Sequence, residues 1–304
     1  MNTSISTNLW FSTTISIIIC FAIFIYKYYT GRTIVLTKVL DSLKKKKRIV
    51  NSHQYGLKKL IKNHVFSSKI KKINLNKRCI INTINPHSYC VSKNDSLFHK
   101  ALINSDIILP DGVGIVLASK ILLGKKIKKI AGADIHMHLL KHANATKKKV
   151  FYLGASEKTL NLITKRLKKE FPHIDVGSYS PPYKSEFSTN DSQTMIDKVN
   201  TFDPQILFVG MTAPKQEKWV EENKKQLNAT IITSIGAVFD FYAGTVKRSS
   251  PIWINLGLEW LPRLLKEPKR LWRRNFISTP QFLLSIIKAK LQIKFHKKKS
   301  ELFT

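Results

Sequence analysis

From Arg78 onward the chain alternates short apolar runs with longer amphipathic patterns, and no other feature restricts its fold as strongly. The apolar runs are CIINTI, IILP, KVFYLG, QILFVG and TIITSIG. Their length and apolar character are typical of strands that are buried on both faces. Helical patterns such as SEKTLNLITKRLKKEF and PKQEKWVEENKKQL separate them. This alternation predicts an α/β domain with a largely parallel sheet flanked by helices.

The predicted sheet is Rossmann-like, and ligands of such sheets bind outside the carboxyl ends of the strands. We therefore expect functional residues in the loops that follow predicted strands. Four of these loops contain polar residues or glycines suited to a binding site: residues 82–88, 109–114, 153–156 and 209–217.

Asp111 lies between Pro110 and Gly112 in the loop 109–114. The chain has only 19 acidic residues against 52 lysines and arginines, so an acid at a strand end is informative. Asp-Gly is also an ordinary turn pair, and Asp111 fits that simpler role equally well. The residues alone leave both interpretations open.

The loops 153–156 and 209–217 contain candidate phosphate-binding groups. Gly154 ends a strand and opens a helix, whose backbone N–H groups suit a phosphate, although simple turn geometry explains the same glycine. Lys215, Gln216 and Glu217 project from the start of the next predicted helix. A lysine there opposes the helix dipole unless an anion compensates it, and either Glu217 or a bound diphosphate is that anion.

The C-terminal part combines arginines with aromatic residues. Over residues 257–276 the chain interleaves Arg263, Arg270, Arg273 and Arg274 with Trp260, Trp272 and Phe276. The guanidinium fork matches phosphate oxygens and tryptophan suits the depth of lipid headgroups, but the run also resembles a nucleic-acid patch. The following stretch, FLLSIIKAKLQIKFHKKK, has the pattern of a helix that lies in a membrane interface.

An apolar segment near the N-terminus, residues 9–26, contains no charged residue and is long enough for a membrane-spanning helix. A hydrophobic helix packed on the protein is the alternative. The basic residues that follow, including KKKKR at 44–48, place the rest of the chain in the cytoplasm. We divide the chain into a membrane-anchoring segment (1–36), a basic helical connector (37–77), an α/β core (78–256) and a basic C-terminal helical appendage (257–304).

The charge excess of 33 predicts an anionic partner, which is a nucleic acid, a membrane surface or a phosphorylated substrate. Much of the lysine fits equally well as solvated background. The chain lacks the patterns G-x-x-x-x-G-K-[ST], G-x-S-x-G, H-E-x-x-H and D-x-D. Their absence disfavours phosphate-loop NTPases, α/β-hydrolases, zincins and DxD-type metal-dependent sugar transferases. The three cysteines show no CxxC spacing, which argues against a structural zinc site.

Several motifs together resemble the WecG/TagA/CpsF glycosyltransferase family over about residues 78–275. In order they are TINPHS, ILPDGVGIV, IAGAD, VFYLGAS, PQILFVGMTAPKQEKW, SIGAVFDFYAGTVKRSSPIW and GLEWLPRLLKEPKRLWRR. The resemblance implies an inverting enzyme that uses neither metal nor cofactor. It would move an N-acetylmannosamine-type sugar from a UDP donor to undecaprenyl-diphosphate-linked N-acetylglucosamine. UDP-N-acetylmannosaminuronic acid or another UDP-sugar is the alternative donor.

The resemblance also implies a location and a pathway. The enzyme would work at the cytoplasmic face of the bacterial membrane, in the synthesis of teichoic acid, enterobacterial common antigen or another surface polysaccharide. It suggests self-association as well. No nucleic-acid partner is expected, because a nucleic-acid-binding module does not explain Asp111, Gln216 and Glu217 at strand-end loops.

Residue by residue, Asp111 matches the family's catalytic base, Thr83 and Asn85 match its T-x-N loop, and Gln216 matches the glutamine of its PKQE motif. The other expected substrate-binding residues are Gly132, Gly154, Lys129, Lys215, Glu217 and Arg248. The expected ligands of the lipid diphosphate are Arg263, Arg270, Arg273 and Arg274. Two departures are Lys129, where the family commonly has arginine, and RSSP at 248–251 in place of RAP.

Overall fold

The computed structural model describes residues 56–247, 249–250, 252–253 and 258–301; the side chains of Arg270 and of residues 294–301 are outside the description. The apolar segment 9–26 and Arg248 therefore lie outside the described residues, and their predicted roles remain predictions.

Six parallel strands form one sheet, which confirms the predicted fold class. The strands are β1 (Cys79–Ile84), β2 (Ile107–Pro110), β3 (Lys149–Gly154), β4 (Asp175–Tyr179), β5 (Ile206–Gly210) and β6 (Ile231–Ser234). Their order across the sheet is β2-β1-β6-β5-β3-β4, and every neighbouring pair is parallel.

Helices connect the strands and extend the fold at both ends. They are α1 (Leu57–His64), α2 (Pro86–Ser92), α3 (Ser96–Ile103), α4 (Val113–Leu123), α5 (Gly132–Ala145), α6 (Glu157–Glu170), α7 (Thr189–Phe202), α8 (Lys215–Asn223), α9 (Gly236–Ala243), α10 (Trp260–Lys266), α11 (Pro268–Arg273) and α12 (Thr279–Glu301). A π-helical turn, Arg274–Ser278, joins α11 to α12.

Helices cover both faces of the sheet, which explains why the strands read as nearly continuous apolar runs. On one face, Phe151 and Leu207 pack against residues of α7 and α8. On the other face, Tyr152 and Phe208 pack against α5, α6 and α9. Successive residues of a strand point to opposite faces, so each strand contributes to both cores.

The chain directions around β1 and β6 create a crevice at the carboxyl edge of the sheet. The connection after β1 leads to α3, which packs on the α8 side, where Asp95 at the start of α3 pairs with Lys218 of α8. The connection after β6 enters α9, on the opposite face. Two neighbouring parallel strands whose connections diverge form a topological switch point, where α/β proteins bind their ligands.

The C-terminal helix α12 is part of the folded core. Phe282 and Ile286 are buried in a cluster with residues of α1, α2 and α4, and the Phe282 ring meets the edge of Tyr89 at 5.4 Å between centroids. Its outer side exposes Leu284, Ile287 and Leu291. Across the described part of the chain, every helix is too short or too polar to span a bilayer.

Candidate active site

Asp111 lies at the carboxyl edge of the sheet, directly after β2. Its backbone N–H donates to the carbonyl oxygen of Ile84 at the end of β1, at 2.9 Å. Gly112 follows with φ of 90°, a backbone conformation that side-chain-bearing residues rarely adopt. The chain therefore turns sharply after Asp111, and the acid is fixed beside the switch point.

The Asp111 carboxyl is partly buried and has several cations near it. Burial raises its pKa, and Arg274, the cation with the largest effect, lowers it. Glu259 raises the pKa further, while Lys129 and Arg263 lower it. Among the described residues, no protein group is hydrogen-bonded to this carboxylate. A desolvated acid that keeps its oxygens available has the properties of a general base.

Lys129 reaches this edge through the segment that precedes α5. The N–H of Ile130 donates to the carbonyl oxygen of Pro110 at 2.9 Å, which aligns the segment with the end of β2. The Lys129 ammonium lies 2.9 Å from a carboxylate oxygen of Glu259, and the two side chains are only 19% and 21% exposed. Lys129 is therefore close to Asp111 and already paired with an acid.

Asn85 and Thr83 come from β1 and its end. The Asn85 side-chain oxygen accepts from the N–H groups of His87 and Ser88, both at 3.0 Å, so it caps α2. Ser88 reciprocates by accepting from the Asn85 N–H at 2.7 Å. This capping box leaves the amide NH₂ of Asn85 to reach a ligand. Thr83 is half-buried and lies beside Leu109 in the β1–β2 ladder.

Gln216 and Glu217 are buried in the first turn of α8. The Gln216 oxygen accepts from the N–H groups of Met211 and Gly236, each at 3.1 Å, so one side chain ties the end of β5 to the start of α9. Its NH₂ group donates to Glu217 at 2.8 Å. Burial raises the pKa of the Glu217 carboxyl to about 7, although the bond from Gln216 opposes the rise. These contacts fix the residues after β5 and β6 next to each other at the carboxyl edge of the sheet.

We expect Glu217→Gln to stabilise the protein by an amount that grows as pH rises from about 4.5 to about 7 and is then constant. The folded protein binds this proton more tightly than the unfolded chain. The wild type is therefore fully stabilised below about 4.5 and loses this contribution as pH rises to the folded-state pKa. The plateau is on the order of 3 kcal/mol, because each unit of pKa difference corresponds to about 1.4 kcal/mol. Urea midpoints across this range measure it, with Glu222→Gln, an exposed acid on the same helix, as control. Parallel pH curves for wild type and Glu217→Gln would contradict it.

The two predicted site glycines allow close packing. Gly154 has φ of 118°, and a Cβ there would meet the carbonyl oxygen of Gly210 on the neighbouring strand. Gly132 opens α5, and a Cβ there would lie 3.1 Å from Val238. Lys215 begins α8, and its ammonium lies 3.9 Å from the centroid of the Phe187 ring and donates to the carbonyl oxygen of Lys184. Any ligand of Lys215 would therefore lie near the loop after β4.

The C-terminal arginines divide into two groups. Arg274 and Arg263 lie near Asp111, and Arg263 also lies 5.1 Å from the centroid of the Phe241 ring. Arg273 is exposed and lies over the ring of Trp272 at 5.5 Å. The structure thus brings Asp111, Lys129, Arg263 and Arg274 together from three distant parts of the chain, while Arg273 points elsewhere.

Sequence reasoning missed two residues of this site. Glu259, in the GLEWLP motif, pairs with Lys129 and influences Asp111. His87, in the TINPHS motif, follows Asn85 and lies near Arg274. Their presence in motifs that also contain predicted site residues was the available signal. Within the described ranges, no group of three or more His, Cys, Asp or Glu side chains is arranged to hold a metal ion.

The fold and the residues at the carboxyl edge of the sheet define a class of protein. It is a parallel α/β enzyme in which an acid, Asp111, lies among cations at the switch point. The family model of the WecG/TagA/CpsF glycosyl transferases matches residues 53–296. The chain belongs to this family and is a glycosyltransferase, as its motifs predicted.

Relatives with described activities agree with this assignment. The chain is 34% identical over 214 residues to an N-acetylglucosaminyldiphosphoundecaprenol N-acetyl-beta-D-mannosaminyltransferase of Bacillus spizizenii, covering 70% of this chain and 80% of the relative. A protein of the same description from Bacillus subtilis is 29% identical, covering 79% of this chain and 88% of the relative. One from Staphylococcus aureus is 29% identical, covering 70% and 81%.

Proposed function

We propose that this protein transfers N-acetylmannosamine from a UDP donor to undecaprenyl-diphosphate-linked N-acetylglucosamine, with inversion and without a metal ion. The observation that supports it best is the available Asp111 carboxyl among Arg274, Lys129 and Arg263 at the switch point. The names of the relatives specify this acceptor and an N-acetyl-β-mannosaminyl product. The product would enter a teichoic acid or another surface polysaccharide.

In the proposed reaction, Asp111 takes the proton of the acceptor hydroxyl. The hydroxyl oxygen attacks the anomeric carbon from the face opposite UDP, the bond to UDP breaks, and the proton remains on Asp111. One such displacement converts an α-linked donor into a β-linked product. Desolvation makes the carboxylate a stronger base than an exposed aspartate, which fits this role.

The departing UDP gains negative charge, and fixed cations can stabilise that charge without a metal ion. Among the described lysines, Lys129 is the first candidate for this role, because it acts on Asp111 and is mostly buried. Lys215 and Arg248 are the other proposed donors. Arg263 and Arg274, which act on Asp111, are the first proposed ligands of the acceptor diphosphate, and Arg270 and Arg273 are the others.

The ion pair between Lys129 and Glu259 favours a neutral donor sugar over a uronic acid. A lysine without a partner would attract the additional carboxylate of N-acetylmannosaminuronic acid. Here the Glu259 carboxylate lies 2.9 Å from the ammonium and would repel a second carboxylate. We therefore place N-acetylmannosamine first among the candidate donors.

The test is product analysis with purified full-length protein, a short-chain lipid-diphosphate N-acetylglucosamine acceptor and a series of UDP-sugars. We expect the acceptor to gain one N-acetylhexosamine from UDP-N-acetylmannosamine, with a β linkage by NMR and full activity in the presence of a metal chelator. An α linkage would contradict inversion. A strict requirement for added divalent metal would contradict the metal-independent mechanism.

We also propose that the enzyme works on the membrane, because its proposed acceptor is a lipid. Residues 9–26 would anchor it, with the exposed Leu284, Ile287 and Leu291 of α12 in contact with the lipid surface. Deletion of residues 1–36 is expected to move much of the protein from the membrane fraction to the supernatant while turnover of a short-chain acceptor persists. Unchanged sedimentation with membranes would contradict the anchor. Sedimentation analysis of the purified protein would also test the expected self-association.

A further inference from the structure

Two side chains of α2 contact one residue of the C-terminal appendage. A ring nitrogen of His87, Nδ1, lies 2.9 Å from the hydroxyl oxygen of Ser278. The Cys90 thiol donates to the carbonyl oxygen of the same serine at 3.3 Å. Ser278 is only 7% exposed, so these contacts are shielded from water. The α2 helix therefore binds both the side chain and the backbone of Ser278.

Ser278 ends the π-helical turn that Arg274 begins. Residues four positions apart in a helix lie on the same side, so Arg274 projects from the side on which Ser278 contacts α2. Thr279 donates its hydroxyl to the carbonyl oxygen of Arg274 at 3.3 Å, which ties the start of the turn to its end. A shift of Ser278 would therefore move Arg274.

Arg274 acts electrostatically on both Asp111 and His87. It is the cation with the largest effect on Asp111, whose pKa it lowers, and it also lowers the pKa of His87. Burial is the larger cause of the lowered pKa of His87, and both causes favour the neutral ring. A neutral imidazole can accept or donate one hydrogen bond beside a guanidinium without adding a second positive charge.

We propose that His87 is a positioning residue, whose hydrogen bond to Ser278 holds the π-helical turn so that Arg274 remains beside Asp111. The ligand we assign to Arg274, the diphosphate of the acceptor, rests on the proposed function; the contact itself does not. His87 would thus link the substrate loop after β1 to the arginine-bearing appendage. Turns of this type occur frequently at functional sites in other proteins.

Matched substitutions separate this role from packing. Asparagine can place an amide atom near the position of Nδ1, whereas glutamine places its amide near the position of Nε2. His87→Asn should therefore keep the bond to Ser278, and His87→Gln and Ser278→Ala should lose it. Ser92→Ala is the control, because it removes another buried hydroxyl of α2 that bonds only within its own helix.

The first readout does not depend on turnover. Hydrogen–deuterium exchange over residues 271–282 should be faster in His87→Gln and Ser278→Ala, and close to wild type in His87→Asn and Ser92→Ala. Unchanged exchange in both His87→Gln and Ser278→Ala would overturn the proposal. The exchange test does not need sugar transfer. If the wild type transfers no sugar, the proposed function fails, but the exchange result still decides whether His87 holds the turn.

The second readout is steady-state kinetics with the lipid-diphosphate acceptor. Leaving a buried hydrogen-bond partner unpaired should raise the acceptor KM roughly 10-fold in His87→Gln, with the donor KM unchanged and His87→Asn close to wild type. In an Arg274→Ala background the same change should have little further effect, because both act through one guanidinium. Additive effects of the two changes, or an equal rise in both KM values, would refute positioning through Arg274.

Discussion

Asp111→Asn is expected to lower kcat by about 10²- to 10⁴-fold, the range that a positioned general base contributes. Asparagine has nearly the shape of aspartate but cannot take the proton of the acceptor hydroxyl. The measurement is UDP release at saturating donor and acceptor. The melting temperature should stay at or above that of the wild type, because the substitution removes a carboxyl that burial disfavours in its charged form.

Two control variants define the result for Asp111. Asp197→Asn changes an exposed acid on α7 that lies outside the four strand-end loops, and it should leave kcat unchanged. Asp111→Glu keeps a carboxylate but displaces it, and should retain part of the activity. If Asp111→Asn turned over within a few-fold of the wild-type rate, Asp111 would not be the base and would serve only as a turn residue.

Phe282→Ala is expected to reduce the free energy of unfolding by about 3–5 kcal/mol, the usual cost of removing a buried phenylalanine. Phe282 is fully buried between α2, α4 and α1, where its ring contacts Tyr89. Urea unfolding measures the loss. Leu284→Ala on the same helix is the control, because Leu284 is 43% exposed and should change stability by no more than about 0.5 kcal/mol. Equal losses in the two variants would contradict the position of α12.

The burial of Phe282 and Ile286 also changes how the appendage should be tested. Removing the chain after Phe276 would open the core around α4, so lost activity could reflect unfolding rather than a missing lipid contact. Substitutions of the exposed Leu284, Ile287 and Leu291 leave that core intact. They are the cleaner test of membrane contact by this helix.

The sequence pattern predicted the sheet because its central strands are buried on both faces. β4 was missed because it is an edge strand of partly exposed and polar residues, DVGSY, which lacks a continuous apolar run. The apolar pattern of α12 was recognised, but it was interpreted as a membrane-facing surface. One side packs on the protein instead, because burial against a neighbouring helix requires the same apolar stripe as burial in lipid.

The site was predictable where one residue and its loop were sufficient. Asp111 was singled out because an acid follows a strand in a chain with few acids, and the family resemblance supplied its role as a base, which remains a prediction. The pairs Lys129–Glu259 and His87–Ser278 were not, because their members lie 130 and 191 positions apart and meet only in the folded chain. Glu217 was expected at an accessible helix start, yet the close approach of Gln216 to Met211 and Gly236 buries that start.

In the proposed reaction, the sugar leaves UDP only when the acceptor hydroxyl attacks. The most direct measurement is therefore UDP release from UDP-N-acetylmannosamine by the full-length protein, with and without the lipid-diphosphate N-acetylglucosamine acceptor. We predict release that requires the acceptor, equals the amount of glycosylated acceptor and is nearly abolished in Asp111→Asn. Release at the same rate without acceptor, or without any gain of sugar by the acceptor, would contradict the account.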